Sequence, residues 1–198
     1  MKKMIPLIFA CATVFSACGK VVSDSQPAVR QTVDISGIDK PDMTEKCRII
    51  SEYLNSEYSA YLQAPENSMV AEVFRNPDDL WLAEPQMAYD FTLDDGVWSA
   101  KARGYEYFII DKADDRLLMC ISTAEDGNVS GGGADNAQTE LFEAGKGFIQ
   151  GHGIDGAPVY IADGEVYFSS LDAPDISGIE LPDAEPLTAV YKLDIAAK

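Results

Sequence analysis

The first periodic hydrophobic pattern along the chain is helical and lies between residues 43 and 61. Apolar side chains recur there at spacings of three and four, which places them on one face of an amphipathic helix: Cys47, Ile50, Leu54, Tyr58 and Tyr61. Asp42 precedes the run and predicts an N-cap, with Glu45 as its capping-box partner. Pro65 predicts that the helix ends by about Gln63. An aromatic stripe on such a face is typical of a buried core.

After this helix the pattern changes to short runs rich in β-branched and aromatic residues, which predict strands. Four of these runs form two predicted hairpins, 105–111 with 116–123 and 157–162 with 165–170. The second hairpin turns at Asp163-Gly164, a dipeptide that favours a two-residue hairpin turn. Two further strands are predicted at 87–93 and 187–195, whereas 138–142 fits either a strand or a helix.

One helix followed by hairpins predicts the α+β class. In this arrangement the amphipathic N-terminal helix packs on one face of an antiparallel β-sheet built from hairpins. Residues 41–198 are enough to bury a single core. We therefore expect one α+β domain over 41–198.

The extreme N-terminus has the pattern of an export signal. Lys2 and Lys3 precede a short apolar run that ends in the small residues Ser16 and Ala17. This layout is typical of a secretory signal peptide. The run is shorter than the roughly 20 residues that a membrane-spanning helix needs, so residues 1–17 are predicted to be a cleaved signal.

Cys18 follows the small residues directly. The tetrapeptide Phe15-Ser16-Ala17-Cys18 resembles the lipobox of bacterial lipoproteins, with Phe15 in place of the common Leu. The resemblance implies cleavage before Cys18 and acyl chains on this residue, which anchor the protein in a membrane. Gly19, rather than Asp, after the cysteine implies the outer membrane. The alternative is an ordinary secreted protein in which Cys18 is incidental.

Residues 18–40 are polar and poorly periodic, which predicts a flexible tether with a reach of roughly 25 Å. Part of this stretch could instead pair with the sheet. Its last residues belong to a repeat, because DISGIDKPD at 34–42 recurs as DISGIELPD at 175–183. Both copies predict the same glycine turn and proline break, lying either side by side or against the same kind of partner surface.

The distribution of charge says more about possible partners than the rest of the composition does. The chain holds 33 acidic residues against 15 Lys and Arg, a net charge of −18. Such a surface disfavours nucleic acids and attracts cationic partners, although it also serves solubility alone. No Lys or Arg lies between Gly147 and Tyr191. We select four acids of this stretch as candidate partner-binding residues: Asp155, Asp163, Glu165 and Asp172.

Two cysteines, Cys47 and Cys120, remain once the signal takes Cys11 and the lipid takes Cys18. An even pair in an oxidising compartment predicts a disulfide. A disulfide between them would close a loop of about 73 residues, which stabilises a fold by roughly 4 kcal/mol on the chain-entropy account. Two buried thiols are the alternative.

A weak calcium motif follows the predicted strand 116–123. Oxygen-bearing side chains alternate there and a glycine permits a sharp turn, as in the front half of a calcium loop. The candidate ligands are Asp126, Asn128, Ser130 and Asp135. Ala137 stands where such a loop carries its final Glu, so a simple glycine-rich loop is the alternative.

No catalytic constellation stands out in the sequence. His152 is the one histidine of the chain, which leaves no pair of histidines for zinc, and no GxSxG motif marks an activated serine. Gly151-His152-Gly153-Ile154-Asp155-Gly156 has the spacing GxGxxG, but a strand rather than a helix follows it. We therefore expect no enzyme and no cofactor, and interpret His152 as a turn histidine.

These observations together favour a non-enzymatic lipoprotein of the bacterial envelope. Its acidic domain would bind or inhibit a basic envelope protein, as periplasmic immunity proteins and lysozyme inhibitors do, although neither family's motif is present. Two alternatives stay open at this stage. One is a structural or assembly lipoprotein, and the other is a calcium-binding module.

Overall fold

The computed structural model describes residues 30–65, 77–124, 127–168 and 172–193. It confirms the α+β class, since it is mostly β-sheet with helices α1 (Met43–Gln63) and α2 (Asn136–Glu143). The predicted signal peptide and the predicted lipidation site Cys18 lie outside the described residues. Within those residues, no helix combines the length and the apolar character needed to cross a membrane.

The strands, numbered along the chain, are β1 (Gln31–Thr32), β2 (Leu80–Ala83), β3 (Gln86–Asp94), β4 (Val97–Asp111), β5 (Leu117–Thr123), β6 (Val129–Gly133), β7 (Ile149–His152), β8 (Pro158–Ala162), β9 (Glu165–Val166), β10 (Ile179–Glu180) and β11 (Ala189–Lys192). The long strand β4 organises the sheet, because β2, β3 and β5 all pair with it antiparallel. Strand β6 extends the sheet from β5, and β11 pairs with β2.

The expected all-antiparallel sheet is wrong in one respect. Strand β7 pairs with β3 in parallel, with Tyr89 opposite Gly151 and Asp90 opposite His152. Strands β7, β8 and β9 form an antiparallel meander, and this pairing joins the meander to the rest of the sheet. The sheet is therefore mixed. A separate two-stranded ribbon pairs β1 with β10, also in parallel.

Helix α1 begins as predicted, with the Asp42 side chain accepting a hydrogen bond from the Thr44 backbone N–H. Glu45 does not complete a capping box, because its carboxylate instead pairs with Arg48 at 2.6 Å. The buried face carries Ile50 and Leu54, both at most 1% exposed. Burying each of these side chains contributes about 1.5–3 kcal/mol.

Alternation along β4 divides the core between the two faces of the sheet. Tyr107 and Ile109 pack in the cluster that includes the buried face of α1. Phe108 and Ile110 pack in a second cluster with Leu141 of α2. Each helix therefore covers its own face of the sheet.

The predicted disulfide between Cys47 and Cys120 is wrong, since both residues are free thiols. Cys47 lies on α1 and packs against the first cluster. Cys120 stands opposite Phe108 in the β4–β5 pair and packs against the second cluster. Because the sheet lies between them, their sulfur atoms do not reach the 2 Å or so that a disulfide needs.

Backbone conformation confirms the predicted hairpin turn at Asp163-Gly164 and shows a further turn of the same kind at Asp95-Gly96. Asp95 and Gly96 both have positive φ, 47° and 78°, in the turn between β3 and β4. Asp163 and Gly164 have φ angles of 54° and 78° in the turn between β8 and β9. Two positive φ angles define the turn that matches the twist of paired strands.

The predicted tether extends too far into the domain. Residues 31–32 form β1 and pair with β10, and Asp34 bridges to Lys101 of β4. The described part of 18–40, from Arg30 onward, is thus tied to the fold, as the alternative interpretation of this stretch proposed. Residues 18–29 lie outside the described part of the chain.

Both copies of the repeated motif begin with the same Asp–Ser hydrogen bond, but the predicted common glycine turn is wrong, because Gly37 has a φ of 82° whereas Ile176–Gly178 forms a short 3-10 helix. Asp34 accepts a hydrogen bond from the Ser36 N–H at 2.8 Å, and Asp175 accepts one from the Ser177 N–H at 3.0 Å. Equivalent isoleucines of the two copies, Ile38 and Ile179, belong to one hydrophobic cluster. The copies therefore lie in the same region of the domain, where β1 and β10 pair.

Candidate binding groove

A groove of about 750 Å³ lies between the β8–β9 turn and the second copy of the repeated motif. Its apolar lining includes Ile149, Ile161 and Ile179, and its polar lining is mainly carboxylate. The acids are Asp163, Asp175, Glu180 and Asp183, all exposed. Arg30 is the single cation among the described lining residues. We call this feature the acidic groove.

Asp163 lies in the β8–β9 turn, and its own left-handed backbone conformation helps to form that turn. The turn places its carboxylate at the groove. Its carboxylate pairs with Lys146 at 3.0 Å. The Tyr167 hydroxyl and then Asp163 raise the pKa of Lys146, so this cation stays charged. Lys146 thus neutralises part of one wall, while it is not itself a lining residue.

Asp175 is held by a short helical turn over Ile176–Gly178, which it caps. The side-chain and backbone hydrogen bonds from Ser177 lower the pKa of this carboxyl. Asp175 is therefore ionised well below neutral pH. The same turn places Ile176 and Ile179 against the apolar cluster beneath the groove.

The far wall depends on a close backbone approach at Gly147. A Cβ atom added to Gly147 would lie 2.2 Å from the carbonyl oxygen of Ala184. Such a distance is a steric clash with backbone, so only glycine fits here. Gly147 therefore allows the segment with Asp183 and Ala184 to lie directly against the start of β7.

The structure separates the four candidate partner-binding acids. Asp163 lines the acidic groove, and Glu165 lies in the adjoining strand β9. Asp155 instead accepts a hydrogen bond from the Ala157 N–H in the β7–β8 turn. Asp172 is exposed and is not among the groove residues.

The sequence-based selection missed three acids that the fold brings to Asp163: Asp175, Glu180 and Asp183. The motif repeat was the available signal, because all three belong to its second copy. What the repeat does not reveal is which strand its second copy faces. That placement follows from the contact at Gly147 and the pairing of β10 with β1.

Three of the four predicted calcium ligands are distributed along the β5–β6 turn, strand β6 and the segment that follows it, and Asp126 lies outside the described residues. Asn128 is in the β5–β6 turn and Ser130 is in strand β6, opposite Ser122. Asp135 lies two residues beyond the end of β6, and the extended strand from Ser130 to Gly133 alone spans roughly 10 Å. The glycine-rich stretch is a strand rather than a loop.

Asp135 has a structural role instead. One of its carboxylate oxygens accepts from the Gln138 N–H and caps α2, and the other accepts from the Tyr160 hydroxyl. Within the described residues, no group of three or more His, Cys, Asp and Glu side chains is arranged to hold a metal ion.

A buried polar cluster lies on the α2 face of the sheet. The Glu106 carboxylate accepts from Ser122 at 2.6 Å and from the Cys120 thiol at 3.4 Å, and Cys120 also contacts Gln150. Two strands, β4 and β3, lie between β5 and β7 in the sheet, so this contact requires the sheet to curl around α2. Burial and then the Glu106 charge raise the pKa of Cys120 well above its usual value, which is the reverse of an activated nucleophile.

Comparison of this chain with models of known protein families, with curated proteins and with solved structures found no match. The functional argument therefore depends on the groove itself.

Proposed function

We propose that this protein is an envelope lipoprotein, anchored through Cys18 in the outer membrane, whose acidic groove binds a basic segment of another envelope protein. The observation that carries the proposal is the groove, in which four carboxylates surround an apolar floor. Its role is binding or inhibition rather than catalysis.

The charge of the groove favours a cationic ligand. Four carboxylates against the Arg30 guanidinium give an excess of negative charge inside a concave surface, and such a surface concentrates field lines and raises the association rate of cations. The chain around it adds to this field, because residues 148–190 contain no Lys or Arg.

The floor of the groove favours apolar side chains between the positive charges. Ile161 and Ile179 are at most 7% exposed, and partly buried Val166 and Leu181 also line the groove. Removing this apolar surface from water supplies affinity, while exposed ion pairs supply mainly rate and specificity. A segment that alternates basic and apolar residues fits both requirements.

The location follows from the N-terminal residues. The signal-like run of 1–17 and the lipobox-like Phe15-Ser16-Ala17-Cys18 support export and lipidation. Lipid at Cys18 would hold the acidic groove close to the membrane, where basic envelope proteins pass. Mass spectrometry of the mature N-terminus tests this part: an unmodified Cys18 would contradict it.

A synthetic peptide that alternates Lys and Leu tests the binding proposal directly. We expect this peptide to bind the full-length chain, and expect affinity to fall about tenfold in the double variant Glu180→Gln, Asp183→Asn, because each exposed pair contributes up to about 1 kcal/mol. Fluorescence anisotropy measures the affinity. Raising the salt concentration weakens the binding.

Matched controls separate the groove from net charge. The double variant Asp94→Asn, Glu143→Gln removes the same two charges from exposed sites outside the groove, and we expect it to bind like the parent chain. A peptide that alternates Lys and Ser tests the apolar floor. Equal losses in both double variants would contradict the proposal.

A further inference from the structure

A second site lies where β3 and β4 are out of register. Ala88 stands opposite Gly104 and Tyr89 opposite Ala102, so Arg103 is an extra residue with no partner across the pair. Gly104 has a φ of 146°, a conformation that favours glycine. Bulges of this kind redirect a side chain and are common beside functional sites.

The bulge directs Arg103 to His152, which lies at the end of β7, the parallel partner of β3. The guanidinium Nη1 lies 2.8 Å from Nδ1 and 3.2 Å from Nε2 of the imidazole. Burial, and then the charge of Arg103, lower the pKa of His152. The imidazole is therefore neutral at pH 7 and accepts a hydrogen bond from the guanidinium.

Within the described residues, the Nε and Nη2 edge of the guanidinium fork has no hydrogen-bond or ion-pair partner. The contacts that the structure gives Arg103, to His152 and to Asp90 at 4.0 Å, all use Nη1. Arginine carries five donors in a planar fork that matches a carboxylate in two parallel hydrogen bonds. The Nε and Nη2 edge of Arg103 can supply this second recognition surface.

Apolar side chains flank this fork. An open cavity of about 470 Å³ has a polar lining that includes Arg103, His152 and Asp90, and an apolar lining of Phe91, Leu93 and Ile154. Leu93 is 45% exposed and Ile154 is 52% exposed. The volume lies within the roughly 300–1,000 Å³ of small-molecule sites. We call this feature the Arg103 pocket.

We propose that the Arg103 pocket binds a small carboxylate that carries an apolar chain. The carboxylate pairs with the Nε and Nη2 edge of Arg103, on the side away from Asp90, and the apolar chain covers Leu93 and Ile154. An ammonium ligand is disfavoured by the fixed guanidinium, and a neutral ligand leaves the fork unpaired. This ligand class is opposite in charge to that of the acidic groove, with which the pocket shares no lining residue.

Octanoate is the probe, with octanol and octylammonium as matched ligands of other charge. We expect octanoate to shift the Arg103 Nε–H and Ile154 methyl resonances with saturation, and to bind at least tenfold more tightly than octanol or octylammonium. Equal binding of octanoate and octanol would overturn the proposal. Tighter binding of N-acetyl-leucine than of octanoate would show that the pocket prefers a peptide C-terminus, and it would overturn the proposal that the ligand is a simple alkyl carboxylate.

Variants assign the binding to named residues. Arg103→Gln should weaken octanoate at least tenfold, and Arg103→Lys should weaken it less because charge remains without the fork. Lys101→Gln removes an equal charge from the same strand and should have no effect. Ile154→Ser tests the apolar wall independently and should also weaken octanoate binding. Full retention of octanoate binding in either Arg103→Gln or Ile154→Ser would contradict the assignment.

Discussion

At the scale of single residues, the acidic groove depends most on Gly147. An alanine Cβ there would meet the Ala184 carbonyl at 2.2 Å, so Gly147→Ala forces the backbone apart. We expect the free energy of unfolding to fall by about 1–3 kcal/mol and the Lys/Leu peptide to bind more weakly. Urea denaturation measures the first effect and anisotropy the second.

Gly132→Ala is the control for this prediction. Gly132 has no heavy atom within 4 Å of an added Cβ and no positive φ. We expect stability and binding close to those of the parent chain. Similar losses in both glycine variants would show that the Gly147 contact is not what shapes the groove.

His152 gives a second prediction at this scale, because a single histidine makes the NMR titration unambiguous. Burial and Arg103 lower its pKa below the ordinary 6.5. Arg103→Gln should raise this pKa, whereas Lys101→Gln should not change it. A His152 pKa above 6.5 in the parent chain would contradict the described geometry.

The same shift sets the sign of a pH effect on stability. Because the folded protein binds the His152 proton less tightly than the unfolded chain does, unfolding is favoured as protons are added. The contribution of His152 to the free energy of unfolding is therefore present above about pH 6.5 and is lost as the pH falls toward the lower, folded-state pKa. His152→Gln should remove this component.

At the scale of elements, α2 depends on Asp135, which caps the helix and also accepts from Tyr160. Asp135→Ala should cost about 0.5–2 kcal/mol for the cap and about 1–3 kcal/mol for the unpaired Tyr160 hydroxyl. Asp42→Ala removes only the cap of α1 and should cost less. Urea denaturation of both variants compares them, and an equal cost would contradict the role of Tyr160.

Elements with local signals were predictable from the sequence. The turns at Asp95-Gly96 and Asp163-Gly164 need left-handed backbone, which these residue types supply. Helix α2 also had a signal, since Asp135 and Gln138 form a capping box. The prediction for 138–142 stayed open between strand and helix, because the helix is short and its apolar positions fit a strand equally well.

Elements fixed by distant pairing were not predictable. Strand β6 is mostly glycine, a residue with poor strand propensity, and it exists because β5 offers it an edge. Strand β7 is short and contains Gly151, whose added Cβ would lie 2.3 Å from the Phe91 ring. The glycine is required by close packing on β3, which no local pattern reveals.

At the scale of the whole molecule, charge was predictable and its arrangement was not. The base-free stretch beyond Gly147 is visible in the sequence and includes Asp163 and Asp183. That these acids share one groove depends on the folding of the chain back against β7. The error at Cys47 and Cys120 has the same origin, because assigning residues to opposite faces of a sheet requires its register.

The measurement that tests the central claim most directly is an NMR map of the Lys/Leu peptide on the full-length chain. We predict that amide shifts concentrate at 163–166 and 174–184, on the two sides of the acidic groove, and that they weaken in the Glu180→Gln, Asp183→Asn variant. Shifts spread evenly over the acidic surface, or centred on the β3–β4 turn at Asp94 and Asp95, would contradict the account.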